Sequence, residues 1–108
     1  ALPIFSKSFL NCAEVSGELF WPMPLPEDLR ASLDSPVADI ANIGERMGGM
    51  LVAGLFLKDF VEPDVPWLHL DIAGPAYNEK LAHGYTPVGG TGVALRTLVA
   101  LAELTARR

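Results

Sequence analysis

Hydrophobic and polar positions along the chain alternate between helical and extended patterns. Ser8 to Ser16 reads as a short helix stopped by Gly17. Leu19, Phe20 and Trp21 read as a short strand, and Pro22-Met23-Pro24-Leu25-Pro26 ends regular pairing because each proline removes a backbone donor. Glu27 to Leu33 is predicted as a short helix with acidic residues in its first turn, broken by Asp34-Ser35-Pro36. Val37 to Ile43 is irregular. Gly44 to Gly49 holds three glycines, which predicts a loop needing unusual backbone angles or close approach. A helix over Met50 to Val61 follows, closed by Pro63 and Pro66. Trp67 to Ala73 reads as a strand ended by Gly74-Pro75, and residues 76 to 90 as a loop. Thr91 is the expected N-cap of a last helix reaching about Ala106, and Arg107-Arg108 a solvated tail.

Two of these segments lack an outer face. Met50, Leu51, Val52, Ala53, Leu55, Phe56 and Leu57 cover every side of their helix, a pattern of helices buried in a large fold or a bilayer. Trp67-Leu68-His69-Leu70-Asp71-Ile72-Ala73 is no clean alternation and reads as a central strand covered on both faces. The apolar run Met47 to Leu57 is 11 residues, too short for a bilayer span of about 20. A chain of 108 residues buries only about 60–70% of its surface, so the pattern predicts a layer of a bigger α/β domain or a subunit covered in an oligomer.

Composition narrows the function classes. Hydrophobic residues make up 50% of the chain and charged ones 19%, which excludes intrinsic disorder. The net charge of −5 argues against nucleic acid as a partner, since phosphate recognition needs a basic face. Cys12 is the only cysteine, so no intrachain disulfide forms and a reducing, intracellular compartment is expected. Residues 1 to 10 carry one Lys and no long apolar run, so no signal peptide is read there.

Candidate chemistry is sparse. The histidines are His69 and His83, and no HExxH, CxxC or paired-carboxylate cluster occurs. On a strand His69 and Asp71 share a face, either as part of a metal or acid/base site or, the favoured reading, as a buried Asp bonded to nearby backbone beside a packed His. Cys12 has no activating base in its context and reads as a small buried hydrophobe. Gly89-Gly90-Thr91-Gly92 has features of a phosphate cradle, but Leu95 stands where G-x-G-x-x-G needs its third glycine; a tight turn is favoured over an anion site.

The ordered segments carry more than their chemistry. Trp21-Pro22-Met23-Pro24-Leu25, then Ser35-Pro36-Val37-Ala38-Asp39-Ile40-Ala41-Asn42-Ile43-Gly44, then Gly48-Gly49 and the helix ending Phe56-Leu57-Lys58-Asp59-Phe60-Val61 form one part. Trp67-Leu68-His69-Leu70-Asp71-Ile72-Ala73-Gly74, with Gly90-Thr91-Gly92 and Arg96-Thr97-Leu98, forms the other. Together they resemble the C-terminal end of the leucine aminopeptidase, or cytosol aminopeptidase, family over about Glu14 to Leu104, with residues 1–13 a divergent segment and 14–108 the family-like part.

The resemblance implies the C-terminal portion of a three-layer α/β/α catalytic domain with a mixed sheet, in a cytoplasmic homo-hexamer that releases N-terminal amino acids from peptides. It implies two divalent ions, manganese or zinc, held by aspartates, a glutamate and a lysine, with a bridging water as nucleophile. Those residues belong to a glycine- and lysine-bearing stretch and an N-T-D-A-E-G-R motif, neither of which occurs in this sequence. No metal ligand or catalytic side chain carries over, and the chain alone is expected to bind no metal and to be inactive. What carries over is pocket wall: Ala73 and Ala76 match positions that line the family's pocket for the first side chain of the substrate. A residue as small as Ala76 should widen that pocket. Nucleic acid and membrane are not expected partners. The rival reading is a non-catalytic assembly or interaction module derived from the same fold.

Overall fold

The computed structural model describes residues 3–107. Ala1 and Leu2, which open the segment read as divergent, and Arg108 of the terminal arginine pair lie outside the described residues. In order the elements are helix α1 (Pro3–Ser16), a 3-10 helix (Glu27–Leu33), helix α2 (Gly49–Lys58), strands β1 (Tyr77–Asn78) and β2 (Gly89–Gly90), and helix α3 (Leu95–Ala106). Helices with a small antiparallel sheet make this an α/β chain. It divides into two units, one built from the ends of the chain (to Trp21 and from Leu70), the other from Pro22–His69.

In the first unit α1 packs against α3. Phe9, Cys12, Ala13, Ala94 and Thr97 are buried, and Phe9 meets Phe20 edge-to-face at 4.9 Å. Cys12 is thus the small buried hydrophobe expected of it. The helix stops before Gly17 as predicted but starts at Pro3 rather than Ser8, because proline's fixed φ and missing donor cost nothing in a first turn. β1 and β2 pair with Tyr77 opposite Gly90 and Asn78 opposite Gly89, closing the loop 77–90 at its base.

In the second unit Leu33, Val52 and Leu55 form the buried core, with Leu25, Leu29, Ile40 and Phe56 packed on it. The glycine loop behaves as its composition implies. Gly48 takes φ +72° at the start of α2, and a methyl group on Gly44 would stand 2.6 Å from Ser32 Oγ and 2.7 Å from Val52 Cγ1. Arg30 bridges Asp34 and Asp59, and Lys58 reaches Glu27, which pins the 3-10 helix to α2 at the surface. The apolar cylinder of α2 is covered on one side only. Val52, Gly54 and Leu55 are buried, whereas Met50 and Leu57 are exposed, because the described residues supply a single layer against it.

Two bounds shift, since α2 ends at Lys58 rather than Val61 and the 76–90 loop contains the short strands β1 and β2, and three expected features fail for non-local reasons. Residues 67–73 form no strand, nor do 19–21: a strand is defined by its ladder, and no described segment pairs with either. Trp67–Leu70 are half-buried and 71–73 exposed, so the segment is not covered on both faces. Thr91 does not cap α3, which begins four residues later at Leu95 with Ala94 as its cap residue.

Candidate functional site

Ala73 and Ala76 open and close the turn 73–76 that leads into β1; Ala73 is exposed and Ala76 half-buried. Proline at 75 pre-sets the backbone for a turn, and the Ala76 N–H closes it on the Ile72 carbonyl at 2.9 Å. Asp71 Oδ1 accepts the Ala73 N–H at 3.0 Å, a short-range bond typical of aspartate before a turn. The carboxylate is exposed, which corrects the expected burial of Asp71 while keeping its predicted role as a backbone acceptor.

A second set of bonds holds the turn from the far side of the loop. Thr91 donates its N–H to the Ala76 carbonyl at 2.9 Å and its hydroxyl to the Pro75 carbonyl at 2.6 Å. Its Oγ1 also accepts the Val93 N–H at 3.4 Å. Within the intervening loop, Asn78 Nδ2 donates to the carbonyls of Pro87 and Leu81, and His83 and Thr86 exchange backbone bonds. His83 is thereby a loop residue.

His69 does not join a polar site. Its ring stacks with Trp67, centroids 6.4 Å apart, and covers Gly54, where a methyl group would meet the ring at 3.4 Å. That is the packed histidine of the favoured sequence reading. Among the described residues no three His, Cys, Asp or Glu side chains gather closely enough to hold a metal ion. This donor set does not fit a divalent ion, which needs three or four protein ligands.

Among the described residues, the buried charged side chain is Glu18, at the start of α3. Glu18, 9% exposed, accepts the Ala94 N–H on Oε1 at 3.0 Å, and the Thr97 N–H (2.9 Å) and hydroxyl (2.5 Å) on Oε2. Arg96 lies 3.8 Å from the carboxylate, its guanidinium over the Tyr85 ring at 4.1 Å. Burial pushes the Glu18 carboxyl upward, but the Thr97 hydroxyl, the Thr97 and Ala94 amides and the Arg96 charge outweigh it and hold the group below its ordinary 4.5. The anion at this helix N-terminus is the protein's own carboxylate, not a bound ligand's, in keeping with the favoured reading of the glycine-rich segment as a turn. Sequence reasoning missed Glu18. Its one trace is an acidic residue lodged between the Gly17 stop and the apolar run Leu19-Phe20-Trp21.

Comparison with known proteins agrees with the sequence resemblance. Residues 4–99 match the catalytic domain of the cytosol aminopeptidase family. A probable cytosol aminopeptidase of Streptomyces avermitilis is 66% identical over 102 residues, covering 94% of this chain and 20% of that protein. The Mycobacterium tuberculosis protein of the same description is 59% identical over 88 residues, or 81% and 17%. The chain therefore spans about a fifth of the length of the curated relatives it matches. Among solved structures, the bottromycin maturation enzyme BotP in complex with Mn superposes with a TM-score of 0.90 at 43% identity, over 95% of this chain and 23% of that one. A tomato leucine aminopeptidase mutant gives 0.82 at 39%, over 91% and 18%. On sequence and on structure alike, this chain belongs to the cytosol aminopeptidase family.

Proposed function

We propose that this chain supplies the pocket-wall side of a metallo-aminopeptidase that removes N-terminal residues from peptides, with Ala73 and Ala76 facing the first side chain of the substrate. The observation that carries this is the turn 73–76. Two methyl-bearing residues stand on a backbone pinned by Asp71 and Thr91, a small and rigid surface of the kind that shapes an apolar side-chain pocket. The two divalent ions of the active site, manganese or zinc, are held by residues other than those of this chain, whose donors do not fit them. The relative solved with Mn supports a metal in the complete enzyme.

The exposed apolar side chains fit the same reading. Leu19 is 97% and Leu81 86% exposed in the first unit, and Val37 93% in the second, so each unit leaves apolar side chains that call for cover. In this reading the remainder of a full-length enzyme and the neighbouring subunits of a cytoplasmic homo-hexamer provide it. No described helix is long and apolar enough to cross a membrane.

The test uses the full-length protein with glycyl, alanyl, leucyl and methionyl fluorogenic amides. A pocket widened at Ala76 accepts leucyl and methionyl substrates at least as well as the small ones, and a preference for glycyl or alanyl contradicts it. Chelation abolishes turnover, and manganese or zinc restores it. The 108-residue chain alone, given manganese and a leucyl substrate, turns nothing over; chelator-sensitive turnover by it overturns the division of labour proposed here.

A further inference from the structure

We propose, resting on the pocket reading above, that Thr91 is a specificity-positioning residue that straps the Ala73–Ala76 turn to the frame of the α1–α3 unit. Asp71 cannot do this. It lies two residues from Ala73, so its bond shapes the turn but travels with it. Thr91 arrives from 16 residues beyond Pro75 and takes two successive carbonyls of the turn, Pro75 through its hydroxyl and Ala76 through its N–H. Pro75 has no N–H, so its carbonyl is its only backbone hydrogen-bonding group, and Thr91 Oγ1 satisfies it at 2.6 Å. The two-residue ladder beside this strap is too short to fix the turn alone.

The far end of the strap is anchored. Three residues past Thr91, Ala94 adopts φ +73°, a left-handed conformation that is strained for a non-glycine residue and persists where the surroundings enforce it. Glu18 does so, holding the Ala94 and Thr97 amides from the end of α1. Hydrogen bonds thus tie α1 to Glu18 and Glu18 to Ala94 and Thr97, and a short stretch of chain carries that anchor back to Thr91, which holds Pro75 and Ala76. Without the Thr91 hydroxyl the Pro75 carbonyl loses its partner, and the wall at Ala73 and Ala76 gains freedom of position.

The experiment compares Thr91→Val, Thr91→Ser and Ala76→Leu with wild type in the full-length, metal-loaded protein. It reads kcat and KM for glycyl and leucyl amides. Losing one hydrogen bond of ordinary strength changes an equilibrium about two- to tenfold. Thr91→Val is expected to lower the leucyl-to-glycyl ratio of kcat/KM by that factor, chiefly through the leucyl KM. Thr91→Ser, which keeps the hydroxyl, stays within about twofold of wild type. Ala76→Leu reports on the pocket itself by cutting leucyl turnover. If Ala76→Leu shifts the ratio and Thr91→Val does not, the strap is refuted and the pocket stands; if neither shifts it, the pocket reading fails as well. An equal loss on both substrates through kcat alone marks Thr91 as merely structural and overturns the proposal. Should Thr91→Val fail to fold, Thr91→Ser against Thr91→Ala asks the same question.

Discussion

Removing the buried Glu18 carboxylate should loosen the start of α3. Glu18→Ala strips two buried amides and one buried hydroxyl of their acceptor at once. Loss of a helix cap costs about 0.5–2 kcal/mol, and a buried donor left unsatisfied about 1–3 kcal/mol. The two overlap in the same amides, so about 2–4 kcal/mol is expected for local opening. Amide hydrogen exchange over residues 92–100 of the full-length protein measures it, and that range corresponds to protection lowered about 30- to 700-fold. The pH dependence follows from the lowered carboxyl of the folded state. A depressed group contributes stability that is complete above its ordinary value of 4.5 and is lost as pH falls through the folded value. Protection of the first turn of α3, corrected for intrinsic exchange, therefore declines below about pH 4.5 in wild type and is pH-independent in Glu18→Gln over the same range. Unchanged protection in Glu18→Ala, or a wild-type decline that persists in Glu18→Gln, refutes the account of Glu18 as the cap.

The second unit offers sharper steric tests. Leu55→Ala, at a position 1% exposed, should cost about 2–5 kcal/mol of local stability, read as faster exchange across Gly49–Lys58. Gly44→Ala forces a methyl against Ser32 and Val52 and should cost about 1–3 kcal/mol, seen in the same peptides and in Glu27–Leu33. Arg30→Ala removes two surface ion pairs yet should change stability by less than about 1 kcal/mol, because exposed pairs gain little over solvation; a larger loss by thermal denaturation contradicts that.

What the sequence disclosed and what it hid divide along the reach of the interactions. Gly17 stopping α1, the acidic first turn of Glu27–Leu33 and the left-handed backbone at Gly48 are decided within a few residues and are legible, whereas α2 ends at Lys58, short of the Val61 that Pro63 suggests. The 67–73 segment was not, because apolar β-formers state an aptitude for pairing and say nothing of whether a partner lies alongside. Thr91 misled for a related reason. Its sequence position suited an N-cap, but a carboxylate 76 residues away already held the Ala94 amide, and the hydroxyl was free to serve the Pro75 carbonyl instead. The assignment of Ala73 and Ala76 came from family resemblance alone, since two alanines near a Gly-Pro carry no chemistry to read. The hydrogen bonds that hold their turn come from Asp71 beside it and from Thr91 across the loop. In the proposed pocket wall the side chains of Ala73 and Ala76 offer only methyl groups, so their backbone groups make the hydrogen bonds that hold it. The partners of those groups beyond the turn itself are Thr91 and, behind it, Glu18, and neither role is marked in the local sequence pattern.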